Sequence, residues 1–240
     1  MRAISDRLRF PLPVRRALEN GSVEPDRRPD KTWRVGSRGR AYYGRMPHHH
    51  PDTSVVMKHA WKARKLFLKE RSERAARFLG RVLHYVQDKS VKYDWRHERR
   101  EEQLALLEVP EEAITDGLFK FNCSPRFVRK CVQMTRGLRD PVLSLYQAVE
   151  HSTAIAAAIF GPREAPENLP GDFLRAKERH RVVLVAGALA GLAMVVASVL
   201  IGIGLGLTLG IAAFFVLPRL DLKYYRLREE VRWFDAEGLV

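Results

Sequence analysis

The sequence predicts an all-α protein, a helical domain followed by a C-terminal transmembrane helical hairpin. Apolar residues through the first two thirds recur at i, i+3, i+4 and i+7, the spacing of helices that each bury one stripe. Val182 to Pro218 then runs for 37 positions without a charged residue, where about 20 helical residues suffice to cross a bilayer core of about 30 Å. Between the two lies Gly161 to Gly171, a Pro- and Gly-rich stretch that reads as a linker. These features divide the chain into a basic arm (1–46), a helical domain (47–160), a linker (161–181), a hairpin (182–218) and a basic, amphipathic tail (219–240).

Charge and cysteine content narrow the function classes. The net charge is +14, from 42 Lys and Arg against 28 Asp and Glu, which favours anionic partners: a lipid surface, phosphate-bearing substrates or nucleic acid. Two cysteines, Cys123 and Cys131, are too few for a disulfide scaffold and are read as free thiols. The first 20 residues hold five arginines and no apolar run, so no secretory signal is expected.

In the arm, twelve Lys and Arg stand against five Asp and Glu, and Pro11, Pro13, Gly21, Pro25, Pro29, Gly36, Gly39 and Gly44 punctuate it. The reading is a poorly ordered arm wrapped on the domain, with a short helix over Val14 to Asn20 and extended pieces at Trp33 to Val35 and Ala41 to Tyr43. Its interleaved arginines and aromatics suit a phosphate backbone or lipid headgroups. Asp52 or Thr53 caps a first domain helix running to about Glu73. Ala75, Phe78, Leu79, Val82, Leu83 and Val86 stripe the next one. Arg96 to Leu107 is helical and dense in charge. Pro110 with Glu111 and Glu112, Ser124-Pro125 and Asp140-Pro141 open three further helices, the last carrying His151 as a structural residue.

The chemistry-bearing residues concentrate around the striped helix. His84 and Asp88 lie four residues apart on the face opposite the stripe. Side chains so placed can grip one divalent cation, or can belong to a solvated face beside Arg77 and Arg81. Gly80, one turn before His84, costs a helix interior about 1 kcal/mol and is explained if something approaches the backbone closely there. A second pair, His97 and Glu101, repeats the spacing. Upstream, Pro47-His48-His49-His50-Pro51-Asp52-Thr53 offers one or two further ligands at a helix start. His59, two turns after Asp52, is left outside the site.

The segment from His48 to Glu101 resembles the zinc-dependent phospholipase C family, whose helical fold is shared with zinc single-strand nucleases. The likeness rests on the His-rich segment ending in Pro-Asp-Thr, on Leu-Gly-x-x-Leu-His-Tyr-x-x-Asp from Leu79 to Asp88, and on His-x-x-x-Glu from His97 to Glu101. Where the family carries a further His six residues after the motif Asp, this chain has Asp94. The resemblance implies an enzyme that cleaves a phosphodiester in phospholipid with two or more zinc ions. His48, His49, His50, His84, Asp88, His97 and Glu101 would be metal ligands, and Asp52 or Asp94 the general base. A non-catalytic scaffold for anionic lipid or protein, and a nuclease, are the competing readings; a membrane anchor argues against nucleic acid.

The hairpin is read as a span near Val182 to Ile201, a turn at Gly202 to Gly206 and a shorter span near Leu205 to Leu217. Gly187-x-x-x-Gly191 and Gly206-x-x-x-Gly210 supply small faces for close packing. Arg175, Lys177, Arg179 and Arg181 precede it, and Arg219, Lys223, Arg226 and Arg228 follow. Positive flanks stay in the cytoplasm, so both ends, with the helical domain, are expected there.

Overall fold

Side-chain caps begin three of the helices that the sequence predicts. In the computed structural model, which describes residues 1–36, 39–201 and 217–235, Asp52 accepts from the backbone N–H of Ser54, Ser124 from that of Phe127 and Asp140 from that of Leu143. Each satisfies a donor that the first helical turn leaves unpaired. The helices so opened are α3 (Thr53–Leu68), α7 (Pro125–Met134) and α8 (Pro141–Ile159). Around them stand α1 (Arg2–Arg7), α2 (Leu12–Arg27), α4 (Ser72–Ser90), α5 (His97–Ala105) and α6 (Glu111–Lys120). One antiparallel ribbon, β1 (Lys31–Val35) paired with β2 (Ala41–Arg45), is the sheet among the described residues. The chain is therefore mostly helical, and it forms two units, Met1–Arg163 and Glu164–Val240.

Helix α4 is the axis of the first unit. Its stripe of Ala75, Leu79, Val82, Leu83 and Val86 is buried, and α3 and α8 pack on it. Gly80, Arg81 and Tyr85, off the stripe, are buried as well, because α2 covers that side. A Cβ on Gly80 would stand 2.3 Å from the Leu18 carbonyl oxygen, and one on Gly21 would stand 2.0 Å from that of Arg77. The two helices cross backbone to backbone, so what approaches Gly80 is α2. Beside the crossing, Glu24 pairs with Arg77 and with Arg81.

Residues 1–46 differ from the arm expected. The helix there spans 16 residues rather than seven. Val14, Leu18, Gly21 and Pro25 form its buried stripe, so two residues that read as breakers are packing residues. Its far end delivers Asp30, whose carboxylate accepts from Tyr85 (2.8 Å), Arg81 (2.8 Å) and His59 (2.9 Å). Burial opposes ionisation of Asp30, but donation from His59, Arg81 and Tyr85 outweighs it and holds the carboxyl well below the usual carboxylate range.

Other differences are local. Helix α3 ends at Leu68 instead of Glu73, at a turn where Glu70 adopts φ 59°. Arg64, fully buried on α3, donates to the carbonyls of Ile159, Gly161 and Pro162 and closes the end of α8. His151 meets the Thr135 hydroxyl at 2.8 Å, and Cys123 donates from its thiol to the Ala158 carbonyl at 3.3 Å.

In the second unit, α9 (Asn168–Ile201) is a single helix of 34 residues, so residues 168–181 of the expected linker are helical. It is the one helix among the described residues long and apolar enough to cross a membrane. Val182, Val185, Leu189, Leu192 and Leu200 stand exposed along it. A short 3₁₀ turn (Leu217–Leu220) precedes α10 (Leu222–Trp233), which packs on α9. The expected Gly turn and most of the second span, residues 202–216, lie outside the described residues.

The glycine crossing is testable. Gly80→Ala should destabilise the protein by about 1–3 kcal/mol through backbone overpacking, even though alanine favours a helix by about 1 kcal/mol. Gly171→Ala on α9, where nothing lies within 4 Å of the added methyl, should be neutral or stabilising. Thermal melts of the two variants in detergent, followed by circular dichroism, should therefore move apart; equal melting temperatures would refute the crossing.

Candidate metal centre

Three segments converge on one end of α4. His84 and Asp88 leave its last two turns. His48 and His49 come from the loop between β2 and α3. That loop is pinned: Met46 N–H donates to the Asp30 carbonyl (2.8 Å), Asp52 N–H meets Met46 Sδ (3.3 Å), and the Thr32 hydroxyl donates to Asp52 (2.7 Å). His97 opens α5 and Glu101 follows one turn later. The residues between α4 and α5 are held by Lys92 N–H on the Leu138 carbonyl (2.9 Å) and by Arg100 on the Lys92 carbonyl (2.7 Å).

The first ligand group is Asp26, His48 and His84, whose ligand atoms lie within 4.8 Å of one another, with Asp88 within 3.3 Å of both histidines. His84 Nε2 lies 2.9 Å from His48 Nδ1, 3.2 Å from Asp88 Oδ2 and 3.7 Å from Asp26 Oδ1. His48 Nδ1 lies 3.3 Å from Asp88 and 3.4 Å from Asp26. Four ligands at zinc distances of about 2.0–2.1 Å, placed at the corners of a tetrahedron, stand about 3.3 Å apart. The five separations scatter around that edge length. Two nitrogens and two carboxylates are an acceptable donor set for zinc, so the residues fit the ion that the sequence implies.

The second group is His49, His97 and Glu101, whose ligand atoms lie within 4.8 Å of one another. His97 Nε2 is 3.0 Å from Glu101. His49 Nδ1 lies 3.0 Å from the Asp88 carbonyl, and His97 Nδ1 lies 3.3 Å from that of Lys92. A carbonyl only accepts, so each Nδ1 is the donor of its pair. This is the arrangement by which a ligating histidine is oriented from behind.

Both groups meet a cleft of about 730 Å³ lined by His48, His49, His50, Asp26, Asp88, His97 and Glu101 together with Arg34, Arg45 and Glu98. The electrostatics are those of a site short of positive charge. Burial, with Asp26 and Glu101 nearby, pushes the Asp88 carboxyl up to about 7. Burial, aided by His48, brings His84 down to about 4. Burial also lowers His48 and His49. A cation between these groups would favour the ionised carboxylate and the neutral imidazoles together.

Of the residues expected at the site, His48, His49, His84, Asp88, His97 and Glu101 are brought together. His50 lines the cleft but is exposed and joins neither group. Asp52 and Asp94, expected as alternative general bases, stand elsewhere. Asp52 caps α3 and accepts from Thr32. Asp94 accepts both arms of Arg100 at 2.9 Å and the N–H of Arg96, and these donations hold it at about 2. Neither lines the cleft. Asp26 was not anticipated, because it lies in the segment read as an arm. His59, left outside, meets Asp30 and stacks beside Phe78.

No protein-family model, no curated protein and no solved structure matches the chain.

Proposed function

We propose that the chain is a membrane-anchored, zinc-dependent phosphodiesterase of the phospholipase C type. The observation that carries this reading is the meeting of two ligand groups on one cleft, joined through the adjacent His48 and His49 and through Asp88, which meets the first group by its carboxylate and the second by its carbonyl. His48, His84, Asp88 and Asp26 would hold one ion, and His49, His97 and Glu101 a second. Zinc there would supply Lewis acidity, bringing the pKa of a water to about 7 and neutralising charge that builds on phosphoryl oxygens.

The other cleft residues have defined tasks in this reading. Arg34 and Arg45 face the same space and would draw in and orient the phosphate anion. Glu98 lines the cleft and belongs to neither ligand group. In this reading it would take the role expected of Asp52 or Asp94, accepting the proton of the attacking water. Trp33, Val35, Tyr42 and Tyr43 stand exposed on the ribbon whose arginines border the cleft, a composition suited to a headgroup layer. The same ribbon suits stacked bases, which keeps a nuclease as the second reading.

The anchor follows from α9, with the two-span hairpin as its detailed form. Asp221, just before α10, pairs with Arg179 and approaches His180 at 3.5 Å, and Tyr224 stacks on His180 at 4.0 Å. Ile201 lies 21 residues beyond His180 on the same helix, about 32 Å at 1.5 Å per residue. The residues that follow the apolar run therefore lie beside those that precede it, one bilayer core away from Ile201. This supports two antiparallel spans with both basic flanks in the cytoplasm.

Zinc analysis and turnover test the centre together. Asp88→Ala should remove at least one zinc per chain and abolish release of phosphorylated headgroup from phospholipid vesicles, whereas His59→Ala should keep the metal. Glu98→Gln should keep the zinc and lower kcat by about 10²-fold or more, the usual worth of a general base. Release of nucleotides from single-stranded DNA offered in parallel would favour the second reading, and an unchanged zinc content in Asp88→Ala would sink both. For the anchor, reporters fused at Met1 and at Val240 should both report the cytoplasm; opposite sides would remove the hairpin.

A further inference from the structure

A second cavity, of about 380 Å³, adjoins the polar cleft. It shares Asp88 and Glu101 with the polar cleft, but its remaining walls are largely apolar. Ile4 of α1, Leu104 and Ala105 of α5, and Leu145, Ala148 and Val149 of α8 form most of them. The reason is the spacing along α5. Glu101, Leu104 and Ala105 are related by i+3 and i+4 and so share a face with His97 one turn earlier. That face begins with two ligand-type residues and ends with two apolar ones. Helix α4 makes the same transition from Asp88 to Val91, and both residues line the cavity. Beyond α5, Leu106, Leu107 and Val109 stand exposed near its end, and Val109 lines the cavity.

Close-packed interiors keep few voids larger than a water molecule. An apolar cavity of this volume falls instead within the range of small-ligand sites, about 300–1,000 Å³, at its lower end. A ligand with its phosphate in the cleft would have an apolar substituent directed past Asp88 and Glu101 into this space, about one helical turn or 5.4 Å away.

We propose that the cavity is a tail subsite, and that the substrate is a single-chain phosphate amphiphile whose one alkyl-type chain enters it. This rests on the metal-centre reading above for the position of the phosphate. The lower-end volume is what selects one chain over two.

The test uses the full chain in lipid nanodiscs, loaded with zinc and titrated calorimetrically with alkyl phosphates from ethyl to octyl and with inorganic phosphate. Each added methylene buried should tighten binding about fourfold until the cavity is full, after which the gain stops. Ala105→Trp, at an exposed helix position that lines the cavity, should abolish that chain-length dependence while leaving the dissociation constant of inorganic phosphate within about twofold of wild type. Ala148→Leu, deeper in, should shorten the chain length at which the gain stops. Dihexyl phosphate should bind no tighter than hexyl phosphate by any increment that Ala105→Trp removes. Absence of chain-length dependence in wild type, its persistence in Ala105→Trp, or an Ala105→Trp-sensitive gain from the second chain would overturn the proposal. Failure of the metal reading shows separately: inorganic phosphate would then bind equally with and without zinc, while the chain-length series would still report on the cavity.

Discussion

At the crossing of α2 and α4, Gly21 and Gly80 leave nothing but backbone between the helices, and the geometry of the centre depends on that contact. Any side chain at either position would occupy space held by a carbonyl at 2.0–2.3 Å. Close approach is what lets α2 run alongside α4 far enough for Asp26, near its end, to reach His48 and His84. It also drops Asp30 where Tyr85, Arg81 and His59 can donate to it. Through Met46, which bonds to the Asp30 carbonyl, the same contact sets the start of the histidine loop. One steric requirement therefore positions the carboxylate, the loop and two of the histidines.

The carboxylates of Asp30, just after α2, and Asp88, on α4, behave differently, and the difference separates structure from site. Asp30 is surrounded by donors, so its charge is matched and its carboxyl stays ionised. Asp88 has imidazoles and other acids for neighbours, so burial raises it. A buried acid without donors is costly unless it is neutralised or bound to a cation. In the proposed centre a cation held beside Asp88 by His48 and His84, each within 3.3 Å of its carboxylate, would offset that cost. Asp94, paired in both arms with Arg100, shows the opposite case of a carboxylate whose lone pairs are already used.

Much of this was legible in the residues. The stripe of α4, the caps at Asp52, Ser124 and Asp140, and the i, i+4 pairs His84–Asp88 and His97–Glu101 follow from periods and caps that act within one element. What was not legible depended on contacts between elements. Val14, Leu18, Gly21 and Pro25 follow helical spacing, yet Gly and Pro carry breaker signals that outweigh it until the partner helix is known. Asp26 was hidden with them. Asp52 and Asp94 looked free because a sequence displays carboxylates without displaying the donors that Thr32, Ser54 and Arg100 bring to them. The i, i+4 spacing and the histidine run pointed to His48, His49, His84, Asp88, His97 and Glu101, but no local signal pointed to a carboxylate arriving from α2.

The second unit adds an argument of the same kind. A charge-free run with basic flanks is compatible with one span or two when it is read as a string. The pairing of Asp221 with Arg179, and the stack of Tyr224 on His180, are contacts between its two flanks. In a single straight span those flanks would be separated by the hydrocarbon thickness, and neither contact could form. Asp221 is 5 % exposed beside an arginine and a histidine, partners that offset the cost of burying its charge. Two antiparallel crossings, the form proposed above for the anchor, would bring the flanks together in this way.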